Sequence, residues 1–288
     1  MQPNIKLTLG DVLVQVTSQL AESPTARLDA EVLTAFVCQL SREQLITLDQ
    51  STITDQQQHE LQQLIFRRQQ GEPIAYLTGK REFYSLDLTV NEKTLIPRPE
   101  TELLVELVLE QIPPVNRGSP FTIVDLGTGS GAIALAIAKQ RPDCQLVATD
   151  NSKAALQVAT ENAKQHAIRN IEFRLGHWYE ALTKNSAHII VSNPPYVAAG
   201  DVHLSRGDVR YEPQTALVAG TDGLDDIRLI SGKAKEYLLP GGLLVLEHGA
   251  EQAQKVRALL IAAGADNIIC HQDLAGLDRV STCIFTDK

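Results

Sequence analysis

The first quarter of the chain carries apolar residues at helical spacing. Val12, Leu13, Val16 and Leu20 form one stripe, Ala30, Leu33, Thr34 and Val37 a second, and Leu61, Leu64 and Ile65 a third. An apolar residue every three or four positions gives each helix one face to bury. Pro24 separates the first two stripes. Ser41-Arg42-Glu43-Gln44 has the form of a capping box, in which a hydroxyl and a side-chain amide satisfy the first amides of a helix. The run Gln56, Gln57, Gln58 reads as a solvated helix face. Together these positions predict a small all-helical domain over 1–80, with Gly71-Glu72-Pro73 ending its helices.

The period then shortens to two. Phe83, Leu86, Leu88 and Val90 alternate with polar residues, which predicts a β-hairpin linker over 81–97. Ile96-Pro97-Arg98-Pro99-Glu100 must open a helix, because prolines are not accommodated inside one. Leu103, Leu104, Leu107 and Val108 supply that helix's buried stripe, and Pro113-Pro114 with the polar stretch 116–120 closes it. From Phe121 the texture changes again. Short apolar runs at 121–126, 145–149, 171–174, 188–192, 243–247, 267–271 and 281–286 alternate with helical patterns such as 132–140 and 153–166. Strands alternating with helices predict an α/β domain over 98–288, built on a mainly parallel seven-stranded sheet with helices on both faces.

Composition changes this picture little. With 288 residues and 43% hydrophobic positions the chain can bury a full core in two domains. Its formal net charge of -9 works against a nucleic-acid partner, since the global field repels phosphate. Cys38, Cys144, Cys270 and Cys283 are scattered without a CxxC pair, which predicts free thiols in a reducing compartment. Cys270 and Cys283 can face each other on neighbouring strands but read better as two small buried hydrophobes. The seven histidines show no metal spacing, so no metal is expected. Met1 to Gly10 lack a signal-peptide core, and no stretch approaches the roughly 20 apolar residues that span a bilayer. The expectation is a soluble, cytoplasmic monomer without membrane or nucleic-acid partners.

Two motifs carry chemistry. The first apolar run of the α/β domain ends in Asp125-Leu126-Gly127-Thr128-Gly129-Ser130-Gly131-Ala132 and passes at once into a helix. A strand, a tight glycine turn and a helix N-terminus make a nucleotide-type site, because missing Cβ atoms let a ligand approach backbone amides. Asp150 ends the next strand, where a carboxylate can accept from both ribose hydroxyls. The string also satisfies the dinucleotide pattern, so the loop alone leaves that cofactor open. Asp125 favours S-adenosylmethionine, because a carboxylate suits a cationic ligand and repels a pyrophosphate. The spacing resembles the first motif of the class I methyltransferases, and with it a Rossmann-like fold.

The second motif is Asn193-Pro194-Pro195-Tyr196, directly after the run at 188–192. In an open α/β sheet it should face the same crevice as the glycine loop. An amide or exocyclic NH2 is a poor nucleophile because its lone pair is delocalised. Its two N–H donors need two acceptors, and the Asn193 side-chain carbonyl and the Pro194 main-chain carbonyl can supply them. Held this way, the nitrogen is aimed at a methyl donor and its developing charge meets preorganised dipoles. Pro194 and Pro195 lock the backbone, and Tyr196 offers an aromatic face to the planar substrate group. The catalytic candidates are therefore Asn193, Pro194 and Tyr196, with Pro195 added for substrate binding.

Beyond these motifs the chain resembles the bacterial release factor glutamine methyltransferases, the PrmC/HemK family, along nearly its whole length. The matching strings are Gly71-Glu72-Pro73-Ile74-Ala75-Tyr76-Leu77, Arg81-Glu82-Phe83, Leu95-Ile96-Pro97-Arg98-Pro99-Glu100-Thr101-Glu102, both site motifs, Leu246-Glu247-His248-Gly249 and Asp273-Leu274-Ala275-Gly276. The resemblance implies transfer of a methyl group from S-adenosylmethionine to N5 of the glutamine in the Gly-Gly-Gln loop of class 1 peptide chain release factors. It implies that the helical domain helps bind the factor. It also implies that Gly127, Thr128, Gly129, Ser130 and Gly131 contact the cofactor, Asp150 holds its ribose, Trp178 lines the adenine pocket, and Asn193 lies near the donor. Arg98 and Glu100 can shape the glutamine pocket or form a structural ion pair, and Glu247 and His248 can support the site or satisfy local backbone. His188 stands where the family usually has an acidic residue, and Tyr179 where phenylalanine is common. The polar stretch 198–213, with Asp201, Arg206, Asp208, Arg210 and Glu212, is expected to form a lid.

Three other readings stay open on residue chemistry. A glutamine methyltransferase acting on a ribosomal protein would share every site residue. An adenine-N6 DNA methyltransferase would use the same tetrapeptide but needs a basic surface that residues 1–80 do not offer. A non-enzymatic dinucleotide sensor would explain the glycine loop and leave Asn193 to Tyr196 unexplained.

Overall fold

A computed structural model describes residues 7–114, 120–205 and 207–286. Residues 1–6, 115–119, 206 and 287–288 lie outside the described residues, among them most of the polar stretch expected to close a helix and Arg206 of the expected lid. The chain forms two compact units: Met1–Gly79 with Ser205–Tyr211, and Lys80–Leu204 with Glu212–Lys288.

The first unit is helical, with α1 (Leu9–Gln19), α2 (Ala26–Cys38), α3 (Arg42–Thr47), α4 (Asp55–Gln69) and α5 (Ile74–Thr78). The three expected stripes all face its core, and Leu45 of α3 joins them. Thr8, Ser41 and Thr54 each close a capping box, with Asp11, Gln44 and Gln57 as partners. Each such cap stabilises by about 1 kcal/mol. Gln57 therefore does local work that the solvated-face reading of the glutamine run had not assigned. The expected end at Gly71-Glu72-Pro73 is instead a break before α5, whose five residues are too few to show a period. Arg68 of α4 is nearly buried and meets the equally buried Asp29 at 2.8 Å. Ser23 and Thr25 hydroxyls donate to the same carboxylate at 2.7 and 2.8 Å, and Arg68 also reaches Asp208 at 2.8 Å. Buried charges persist only when paired and hydrogen-bonded in this way.

The second unit begins with the hairpin β1 (Lys80–Phe83) and β2 (Leu86–Thr89), turned by Tyr84 and Ser85 at φ of 48° and 61°. Phe83, Leu86 and Leu88 share a core with Leu104, Ile123 and Ile137, so the hairpin is packed into this unit. The main sheet comprises β3 (Phe121–Leu126), β4 (Cys144–Asp150), β5 (Ile171–Leu175), β6 (Ala187–Ser192), β7 (Leu238–Glu247), β8 (Asp266–Gln272) and β9 (Asp278–Ile284). Their order is β5-β4-β3-β6-β7-β9-β8, with β9 antiparallel to both neighbours and the other pairs parallel. This is the expected class I methyltransferase-type α/β sheet. Side chains alternate between its faces. Ile123, Ile189 and Val191 pack on one side with α6 (Glu102–Gln111) and α7 (Ala132–Gln140), while Val124, Ile190 and Leu244 pack on the other with α9 (Asp225–Tyr237) and α10 (Ala253–Ala262). A strand buried on both faces reads as a continuous apolar run, which is why these runs were visible. Among the described residues, α8 (Lys153–Gln165) links the parts: Asn162 hydrogen-bonds the Thr89 backbone at 2.7 and 3.0 Å and the Ser130 carbonyl at 2.9 Å.

One expectation is corrected. Cys283 is buried but Cys270 is exposed, because it points outward from the edge strand β8, and both thiols are free. The stretch 198–213, expected to form a lid, is divided between the two units. It contains 3-10 turns at Val202–Ser205 and Gly207–Tyr211, and the second belongs to the helical unit while Glu212 belongs to the other.

Candidate active site

The sheet order reverses at β3, which has β4 on one side and β6 on the other. The crevice beyond these strand ends is where an open α/β sheet binds ligands. A cleft of about 330 Å³ lies there, inside the range for small-molecule sites. From the turn after β3 it takes Gly127, Thr128, Gly129 and Ser130 as lining, and from the end of β4, Asp150. Trp178 lines it as well, and so do Asn193 and Pro195 after β6.

The turn is held from below. Gly127 and Thr128 N–H both donate to the Thr149 carbonyl at 2.9 Å. Gly129 N–H donates to Asp150 Oδ2 at 2.9 Å, and Ser152 N–H to Oδ1 at 2.8 Å. Burial raises the Asp150 carboxyl above its ordinary range despite these donors. Gly129, at φ +57°, has no atom within 4 Å of where a Cβ would sit, so this bend leaves open space. Gly131 is different. It lies outside the cleft lining, at the start of α7, where an added Cβ would come within 2.9 Å of Leu135 Cδ1 and 3.2 Å of Ala159 Cβ. Asp125 also lies outside the lining, fully buried and accepting from the Thr128 hydroxyl at 2.7 Å. Burial pushes its pKa up to about 7. It supports the turn from beneath rather than facing a ligand's cation across the cleft.

Trp178 has φ +49° and donates its indole N–H to Asp226 at 3.2 Å. Asp226 and His177 line the same wall, and burial raises the Asp226 carboxyl. Sequence reasoning missed both. Asp226 stands in the first turn of α9, where an acidic residue reads simply as complementing the helix dipole. Tyr179 is buried with its hydroxyl on the Ile230 carbonyl at 2.9 Å, a bond phenylalanine would lack.

In the tetrapeptide, Asn193 Nδ2 donates to Thr101 Oγ1 at 3.1 Å. Pro194 is buried and, like Tyr196, outside the cleft lining. The Tyr196 ring packs toward the α9–α10 core and its hydroxyl donates to Glu247 Oε1 at 3.3 Å. Burial pushes its phenol pKa up. Glu247, at the end of β7, is 1% exposed, and burial pushes its pKa up to about 7. Gln252 Nε2 donates to the Tyr196 carbonyl at 3.0 Å and holds the outgoing backbone. Arg98 lines the cleft and also pairs with Glu212, whose carboxylate is buried and accepts from Ile96 N–H at 3.1 Å. His248 is fully buried between Ser281 Oγ at 2.9 Å and the Gly249 carbonyl at 3.0 Å, and burial lowers its pKa. His188 stacks on Phe121 at 4.3 Å and accepts from Thr122 N–H at 3.0 Å. Neither histidine is part of the cleft lining. Among the described residues no cluster of His, Cys, Asp or Glu is placed to hold a metal ion.

The cleft fits S-adenosylmethionine. It has an open glycine bend for close backbone approach, a flat indole wall, and two carboxyls, Asp150 and Asp226, that burial holds above their usual range. Such carboxyls gain most when a ligand brings hydroxyl donors or positive charge.

Comparison with known proteins comes to the same region. Residues 11–79 match the family described as the PrmC N-terminal domain, and residues 100–208 the methyltransferase small domain. The chain is 46% identical over 275 residues to the release factor glutamine methyltransferase of Coxiella burnetii, covering 95% of this chain and 98% of that one. It is 45% identical over 269 residues to the enzyme of the same name from Escherichia coli K12, covering 93% and 96%. Among solved structures, a methyltransferase from Pyrococcus furiosus superposes with a TM-score of 0.51 at 17% identity, covering 79% of this chain and 98% of that one. That last likeness is one of fold.

Proposed function

The chain belongs to the release factor glutamine methyltransferases, and from that premise we propose that it transfers a methyl group from S-adenosylmethionine to N5 of the glutamine in the Gly-Gly-Gln motif of class 1 peptide chain release factors. The observation that carries the reading is the Asn193 side chain, anchored through Nδ2 and lining the same cleft as the glycine turn. S-Adenosylmethionine supplies an electrophilic methyl carbon on a cationic sulphur.

The rest is the work of the chain's own residues. Gly127, Thr128, Gly129 and Ser130 offer backbone amides, Asp150 accepts from ribose hydroxyls, and Trp178 with Asp226 closes the adenine side. Gly131 contributes by shaping the turn. Asn193 Oδ1 and the Pro194 carbonyl accept the two N–H groups of the substrate amide. Pro195 keeps the backbone rigid, and Tyr196 holds its far end through Glu247. Fixing both N–H groups aims the nitrogen lone pair along the line of displacement, so alignment provides most of the rate. No general base is needed before transfer, because the proton leaves only after the nitrogen has become cationic. In this reading the helical unit recognises the protein substrate, and the domain limits are 1–80, 81–97 and 98–288.

The test is transfer of labelled methyl to purified release factor, beside a factor whose Gly-Gly-Gln glutamine is replaced, with ribosomal proteins and duplex DNA as controls. Label on the unaltered factor alone supports the proposal. Label on a ribosomal protein alone keeps the chemistry and removes the substrate. No label, together with binding of NAD rather than S-adenosylhomocysteine in calorimetry, removes both.

A further inference from the structure

We infer that Thr101 and Glu247 are positioning residues that decide which end of the Asn193 side-chain amide faces the cleft, an inference that rests on the methyl-transfer reading above. A primary amide has an accepting end and a donating end of nearly the same shape. Rotating Asn193 by half a turn would leave its packing almost unchanged and replace an acceptor with a donor. A substrate amide presenting N–H groups would then meet N–H groups. Something must hold the orientation.

The structure holds it through a hydrogen-bond chain with one direction. Asn193 Nδ2 donates to Thr101 Oγ1 at 3.1 Å. Thr101, 4% exposed at the start of α6, is also hydrogen-bonded to the Glu247 carboxylate. A hydroxyl has one proton to give. An ionised carboxylate can only accept, so that proton goes to Glu247 and only lone pairs remain for Asn193. Thr101 can then accept from Nδ2 but cannot donate to Oδ1. The carbonyl of Asn193 is left to face the cleft.

Protonation of Glu247 would remove the direction. A carboxylic acid can donate to Thr101, which frees the Thr101 proton for Asn193 Oδ1 and permits the flipped amide. Among the described residues Glu247 Oε2 makes no hydrogen bond, so Thr101 meets the carboxyl through Oε1, and it is a proton on Oε1 that reverses the direction. The groups facing Glu247 pull in both directions. Tyr196 from the tetrapeptide, Thr101 and Arg279 from β9 favour the charged form, while burial and Glu100 oppose it. Arg279 is itself shared with Asp273 at 3.2 Å. The balance puts the Glu247 carboxyl at about 7. Because the ionised form is the competent one, orientation is lost as pH falls through that value.

Three variants separate this role from a structural one: Thr101→Val, which removes the hydroxyl and keeps the shape, Thr101→Ser, which restores it, and Glu247→Gln, whose amide can donate or accept at any pH. Thr101→Val should lower kcat for release-factor methylation by about 10- to 100-fold, short of the 10²–10³ for outright loss of a preorganised group. KM and S-adenosylhomocysteine affinity should stay within about twofold, since the loss lies in the transition state. Thr101→Ser should recover most of kcat. Glu247→Gln should flatten the acid limb of the kcat profile near pH 7. Independently of activity, the Asn193 side-chain NH2 in nitrogen-15-labelled protein should exchange with solvent slowly in the parent and faster in Thr101→Val. Normal kcat with unchanged exchange in Thr101→Val would overturn the inference, and so would parallel loss of kcat, ligand affinity and melting temperature that Ser fails to rescue. Should the parent protein leave release factor unlabelled while the exchange difference persists, the orientation stands and the substrate reading falls.

Discussion

Asn193 concentrates the chemistry, and its truncation is the sharpest residue-scale test. Asn193→Ala removes one preorganised acceptor from the proposed amide clamp. Turnover should fall by roughly 10²–10³, about 3–4 kcal/mol, by analogy with deletion of an oxyanion-hole donor. S-Adenosylhomocysteine affinity should fall far less, because that ligand's other contacts remain. Single-turnover transfer beside calorimetry checks both, and near-normal turnover would rule out the clamp. Residues of this kind are legible in a sequence because a strand end, a glycine turn and a stiff tetrapeptide are each local strings. Thr101, Asn162 and Asp226 were not legible as site residues, and Glu247 only as one of two alternatives. Each acts on a partner far away along the chain, such as Thr101 on Asn193 or Asp226 on Trp178. Local pattern offered only a blander account of each. Tyr196 shows the converse limit, since its type suggested stacking on substrate while its hydroxyl is turned to Glu247.

Within one element, the turn between β3 and α7, neighbouring glycines should fail in different ways. Gly131 and Gly129 both have positive φ, at +86° and +57°. A side chain there costs about 1–2 kcal/mol from the backbone alone. Gly131→Ala adds a Cβ within 2.9 Å of Leu135 and 3.2 Å of Ala159, against well-packed α7 and α8. Overpacking of that sort costs about 1–3 kcal/mol more. The variant should melt several degrees lower, at about 2–4 °C per kcal/mol for a domain of this size. Gly129→Ala points its methyl into open cleft, so it should lose mainly the backbone part of stability. Its larger deficit should be in S-adenosylhomocysteine affinity, and equal affinities for the two variants would contradict this division. The stretch after the tetrapeptide shows what element-level reading leaves out. Polar composition suggested a lid and gave no partners for its acids: Asp208 is engaged by Arg68 in the helical unit and Glu212 by Arg98 in the other. Composition cannot reveal which buried cation a given acid will meet.

Across the whole molecule, stability should carry the mark of carboxyls buried at the sheet's functional end. Asp125 is 0% exposed with its pKa pushed up to about 7, and Glu247 1% exposed with the same value. A folded pKa raised above the unfolded one means that the folded state binds the proton more tightly. The stability it contributes is fully present below the unfolded value near 4 and is lost as pH rises through about 7. For Asp125 the shift of roughly three units corresponds to about 4 kcal/mol, at 1.36 kcal/mol per unit. Many exposed acids run the other way. Glu31, for example, is lowered by hydrogen bonds from Arg42 and Arg27, and such surface pairs contribute little. The buried acids should therefore dominate the slope between pH 5 and 8 in protein free of ligand. Asp125→Asn isolates one of them, since the amide is neutral throughout and keeps an acceptor for the Thr128 hydroxyl. Near pH 5 the variant should be no more stable than the parent, because both side chains are then uncharged. By pH 8 the parent has paid for ionising a buried acid and the variant has not. The difference between them should move by about 2–4 kcal/mol in the variant's favour over that interval, read from urea unfolding at the two pH values. An unchanged difference would mean that Asp125 is ionised in the folded protein throughout, with its charge met by groups around the turn.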